Sequence, residues 1–87
     1  MSAPITVQVR YFASLREALG PGEAVHVPAG STLGALRAGL VGRGGSHAEC
    51  LAGGRPVRAA VNLVMSDETA ILTDGSEVAF FPPVTGG

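Results

Sequence analysis

The residues best placed to do chemistry are the last two. Gly86-Gly87 closes the run Phe80-Phe81-Pro82-Pro83-Val84-Thr85. Glycine has no Cβ, so its backbone can pass through a channel too narrow for any other residue. A diglycine on an extended tail therefore suits an enzyme that must reach the carboxylate of Gly87 itself. A carboxylate is a poor electrophile and has to be activated first, most simply as an acyl-adenylate made from ATP. Attack by a sulfur nucleophile then gives a thiocarboxylate, and attack by a lysine gives an isopeptide. Both outcomes use the same tail.

Pro82 and Pro83 lack backbone donors and favour an extended backbone, so they release the chain from a sheet and aim it outward. Pro82, Pro83, Val84, Thr85, Gly86 and Gly87 together reach at most ~20 Å, at about 3.3–3.6 Å per residue. That is enough to enter a partner's active-site pocket. Ordering these six residues costs roughly 6–12 kcal/mol, at about 1–2 kcal/mol each. An apolar docking surface beside the tail is needed to offset that cost, and Phe81 with Met65 is the candidate for it.

The rest of the chain offers little catalytic equipment. His26 and His47 have no Cys, Asp or Glu at metal-ligand spacing, so no metal site is expected. Cys50 lacks a local partner to lower its pKa and reads as a small, partly buried apolar residue. Gly42-Arg43-Gly44-Gly45 lacks the Lys-Ser/Thr of a phosphate loop. Asp67-Glu68 reads as a solvated pair in a turn, and no Ser-His-Asp arrangement can be drawn.

The elements that must carry the tail are legible as periods. Ile5, Val7, Val9 and Tyr11 alternate with polar residues, as a half-buried strand does. Phe12, Leu15 and Leu19 are spaced for one face of a short helix, which Gly20-Pro21-Gly22 ends. Val25 and Val27 mark a second strand, antiparallel to the first and closed by Pro28 and Gly30. Ser31 or Thr32 can cap the main helix, whose stripe is Leu33, Leu36, Leu40 and Val41. The stretch from Gly42 to Gly54 reads as loop with at most one helical turn. Val57, Ala59, Val61 and Leu63 alternate as a third strand. Asp74-Gly75 is a turn signal, and Glu77 to Phe81 forms the last strand. The expected order is β-β-α-β-β, an α+β fold with one main helix on one face of a mixed sheet. Within the last strand Val78 and Phe80 share one face, while Glu77, Ala79 and Phe81 share the other.

At 87 residues the chain is one domain, expected as a folded unit over 1–81 and a tail over 82–87. A hydrophobic content of 46% with 15% charged residues fits a globule. Six dispersed arginines, no lysine and a net charge of −1 argue against a nucleic-acid or anionic-membrane partner. A single cysteine cannot form an internal disulfide. Met1-Ser2-Ala3-Pro4 has neither a basic nor an apolar leader region, so a cytoplasmic location is expected.

Ala59-Ala60-Val61-Asn62, the stretch from Thr73 to Gly87 and the early Phe12-Ala13 with Arg16-Glu17 resemble the small subunit of molybdopterin synthase, the MoaD type. These are ubiquitin-like, β-grasp sulfur carriers. The resemblance covers the last thirty or so residues well and the first twenty moderately, and the F-F-P-P-V-x-G-G ending carries most of its specificity. It implies that Gly87 is adenylated by an ATP-dependent activating enzyme and converted to a 1-thioglycine. It further implies insertion of Pro82–Gly87 into a large subunit that holds the catalytic residues, with Phe81 at the interface, in an assembly of two small and two large subunits. On this reading the isolated chain binds no cofactor and is not an enzyme alone. The resemblance is imperfect at Ser76, where the family usually has Asp, and over Gly42–Gly54. The residues also admit a sulfur carrier for thiamine or cysteine synthesis, a ubiquitin-like modifier of lysines, or a plain interaction domain.

Overall fold

The first strand forms where the alternation predicts it. The computed structural model describes residues 3–52 and 56–83. In it, β1 (Pro4–Tyr11) turns Val7, Val9 and Tyr11 inward, all buried. It pairs antiparallel with β2 (Gly22–Pro28). Gly22 sits against β1 so closely that an added Cβ would lie 2.3 Å from the carbonyl oxygen of Val9. No side chain fits there.

Between them lies the short helix α1 (Ala13–Leu19). Leu15 is its buried residue and Leu19 is half-buried, as spaced. Phe12 is not part of that apolar face. It is the N-cap residue and 43% exposed, because the chain turns at Ala13, where φ is +52°.

The main helix α2 (Leu33–Val41) is capped by Thr32, whose hydroxyl accepts a hydrogen bond from the Ala35 amide at 3.1 Å. Leu33, Leu36 and Leu40 are buried in the core, and Val41 packs at its edge. The Gly42–Gly54 stretch differs from the loop expected of it. Residues Gly45–Leu51 form a further helix, α3, which places Leu51 in the core. Gly44 and Gly45, at φ of +75° and +54°, make the reversal between α2 and α3. Composition hid this helix, since glycine and serine propensities are poor and one buried leucine gives no period.

The third strand is also shorter than its alternation suggested. β3 (Arg58–Val61) ends at a two-residue turn, Asn62-Leu63, with φ of +48° and +69°. The chain then returns as β4 (Val64–Ser66), a fifth strand. Leu63, expected to face inward, is 89% exposed at the tip. Two central residues at positive φ form the primed turn that matches the twist of a hairpin.

The last strand, β5 (Glu77–Phe81), runs down the middle of the sheet, whose order is β2-β1-β5-β3-β4. It is parallel to β1 and antiparallel to β3. The α+β class, the mixed sheet, the main helix and the short α1 are as expected, with one strand, β4, and one short helix, α3, added. Ser76, just before β5, is buried and its hydroxyl accepts the Thr73 amide at 3.0 Å, which closes the Asp74-Gly75 turn.

Candidate functional site: the tail's exit and the face around it

β5 stops at Phe81, and Pro82 and Pro83 leave the sheet half-buried. The other tail positions, Val84, Thr85, Gly86 and Gly87, lie outside the described residues, and so does the course of the tail. What the structure describes is the platform it departs from.

The two phenylalanines of β5 lie on opposite faces. Phe80 is 1% exposed and its ring stacks on Tyr11. Phe81 faces outward and is half-buried against the sheet. Met65 lies on the same outer face. Ala60 pairs with Ala79 on one side and with Met65 on the other, so Met65, Ala60, Ala79 and Arg10 form one row across the sheet. Phe81 stands two residues along β5 from that row, opposite Arg58. The sequence named Phe81 and Met65, and the sheet brings them together.

Phe12 completes this face, a placement the sequence reading missed. Its amide donates to the Phe80 carbonyl at 3.1 Å, which extends the β1–β5 pairing by one step. Tyr11 points inward, so Phe12 points outward beside Phe81. Its sequence signal was its place directly after an inward residue of β1; the helical spacing with Leu15 and Leu19 masked it. The face therefore carries Phe12, Phe81 and Met65 around small alanines, with Arg10 paired to Glu77 at 3.2 Å along its edge.

A polar cluster holds α3 to the sheet on the inner side. The Glu23 carboxylate accepts hydrogen bonds from the Tyr11 hydroxyl at 2.9 Å and from Arg43, and lies 3.3 Å from His47 Nε2. Burial alone would raise the Glu23 carboxyl, but the hydrogen bonds from Arg43, Tyr11 and His47 outweigh it and hold the group below its ordinary value. Burial, then the Glu23 hydrogen bond, pushes the Tyr11 hydroxyl up.

The remaining sequence candidates are placed as structural residues. Cys50 is half-buried and packs against the core. His26 meets the Thr6 hydroxyl at 3.0 Å. Asp67 caps its own turn by accepting from the Thr69 hydroxyl and then from the Thr69 amide, which keep its carboxyl low, and Glu68 faces Arg37 at 3.6 Å. Arg43 of the glycine-rich run is committed to Glu23. No cluster of three metal-ligating side chains occurs among the described residues, and no helix there is long and apolar enough to cross a membrane.

A five-stranded mixed sheet with helices on one face and a diglycine tail leaving its central strand defines a ubiquitin-like β-grasp protein. The chain belongs to the ThiS family, which it matches over residues 9–87. It is 43% identical over 82 residues to the molybdopterin synthase sulfur carrier subunit of Escherichia coli K12, covering 93% of this chain and 99% of that one. Its fold resembles the complex of subunits 1 and 2 of molybdopterin-converting factor from Helicobacter pylori, at 30% identity and a TM-score of 0.64 over 95% of this chain and 100% of that one. It also resembles SAMP1 of Haloferax volcanii, at 26% identity and a TM-score of 0.75 over 94% and 99% of the two chains.

Proposed function

We propose that this chain is the sulfur carrier subunit of a molybdopterin synthase. A partner enzyme adenylates the Gly87 carboxylate with ATP, releasing pyrophosphate. A sulfur nucleophile then displaces AMP and leaves a thiocarboxylate. The large subunit takes the tail from Pro82 to Gly87 and uses this sulfur to build the dithiolene on cyclic pyranopterin monophosphate, in an assembly of two small and two large subunits. The chain supplies no catalytic side chain. It supplies reach, through the tail, and affinity, through Phe12, Phe81 and Met65. Its work is in the cytoplasm.

The observation that carries this reading is the outer apolar face surrounding the exit of a Phe-Phe-Pro-Pro-Val-Thr-Gly-Gly segment, together with 43% identity to a named sulfur carrier. The likeness to SAMP1, a small archaeal modifier protein, favours a second reading, conjugation of Gly87 to lysines. Mass spectrometry of the C-terminal peptide from native cells separates the two. A thiocarboxylate shows one oxygen exchanged for sulfur, whereas a modifier shows branched peptides on other proteins. A sulfur carrier of thiamine synthesis would carry the same thiocarboxylate but would not restore molybdopterin in cells lacking their own small subunit.

A further inference from the structure

The Gly42–Gly54 stretch, where the resemblance is imperfect, has part of its described helix beside Pro82 and Pro83. The α3 helix it forms borders a cleft of about 460 Å³ whose opposite wall is Pro82 and Pro83. Leu15 and Val57 supply apolar floor, Ser14 a hydroxyl, and Glu49 a carboxylate.

Glu49 is unusual among the acidic residues. Glu23 is held by Arg43, Glu68 by Arg37 and Glu77 by Arg10. Asp67 and Asp74 accept backbone amides, from Thr69 and Thr6. Only Glu17 and Glu49 make no hydrogen bond or ion pair among the described residues, and of the two only Glu49 borders this cleft. Any protein that encloses the tail must cover a cleft whose wall is the tail's own base. Covering an unpaired carboxylate is costly unless a cation comes with the cover. Lysine and arginine side chains meet both requirements, with an apolar stem for Leu15, Val57 and the prolines and a charged head for Glu49.

We propose that this cleft receives a lysine or arginine side chain of the subunit that encloses the tail, with Glu49 as its counter-charge. The α3 segment is then a determinant of partner choice. The inference rests on the reading that a large synthase subunit takes the tail.

Calorimetric titration of the full chain against the large subunit from the same organism tests it. Glu49→Gln should weaken binding by about tenfold or more, as removal of one member of a covered charge pair does, and should flatten the dependence of affinity on salt. Ser14→Trp, which fills the cleft, should weaken binding comparably. Glu17→Gln removes the same charge away from the cleft and should stay within about twofold of the unaltered chain. All three positions are exposed, so melting curves should be unchanged. If Glu49→Gln binds like Glu17→Gln, the proposal is overturned, whatever Ser14→Trp does. If the unaltered chain does not bind the large subunit at all, the proposed function fails and this inference fails with it.

Discussion

The ring of Phe80 lies against that of Tyr11 with centroids 6.3 Å apart and planes inclined by 19°. The two residues are partners in the parallel pairing of β1 and β5, so the strand that leads to the tail is anchored by a buried aromatic pair. The Tyr11 hydroxyl, at the other end of its ring, donates to Glu23. The inner side of β5 is thus held in the core, while its outer side carries the half-buried Phe81. Four predictions follow from this division and from the tail, and a fifth from the hairpin.

Phe80→Ala should cost roughly 3–5 kcal/mol of folding stability through the cavity it leaves, with any loss of partner binding secondary. Phe81→Ala and Phe12→Ala should each weaken partner binding by more than about 1–2 kcal/mol with much smaller effects on melting. Denaturation and titration of the three variants decide the matter. A silent Phe80→Ala beside an unfolded Phe81→Ala would reverse the assigned faces.

Removing Gly87, or adding one residue after it, should abolish molybdopterin formation and leave the melting curve unchanged. The reacting carbon moves by about 3.5 Å, and a displacement of even ~1 Å can cost 10²-fold in rate. Activity retained by the truncated chain would remove the tail from the mechanism.

Cys50→Ser should leave sulfur transfer intact, because in the proposed function the sulfur rides on the Gly87 carboxyl carbon, and Cys50 packs against the core. A loss of transfer at unchanged stability would identify a persulfide carrier instead.

Stability should fall in acid partly through Glu23. Its folded pKa is lowered, so the folded state holds the ionised form more strongly than the unfolded chain, whose carboxyl titrates near ~4.3. The stabilisation is present above that value and is lost as pH falls through the lower folded pKa. Glu23→Gln should therefore be less stable than the unaltered chain at pH 7 and should lose less on acidification. Thermal melts between about pH 3 and 7 measure the slope, and parallel curves for the two proteins would count against the cluster.

Leu63→Gly should stabilise the fold by about 1 kcal/mol. Leucine at φ of +69° is strained, and its side chain is 89% exposed, so little packing is forfeited. A lower melting temperature would mean that the turn draws on Leu63 in a way its exposure does not suggest.

Much of this protein was determined by the sequence itself. The alternation in Ile5–Tyr11 and Glu77–Phe81 assigned the strands and their faces, because a period of two leaves neighbouring residues no common side. The stripe Leu33, Leu36, Leu40 marked the main helix for the same kind of reason, and the Pro-Pro-Val-Thr-Gly-Gly ending pointed to chemistry at the C-terminal carboxylate without any fold. Tertiary structure decided the remainder. The α3 helix exists because Leu51 finds a place in the core and Glu23 reaches Arg43 and His47 across 20 and 24 residues, contacts that no local propensity encodes. The β4 strand required a leucine at positive φ, a cost that pairing with β3 outweighs; Asn62, a residue tolerant of that conformation, was its faint local sign. Phe12 joined the outer face only once the parallel pairing of β1 with β5 set it beside Phe81. These are all consequences of distant parts of the chain meeting, and a sequence read in short windows holds the residues of such a meeting but not the meeting itself.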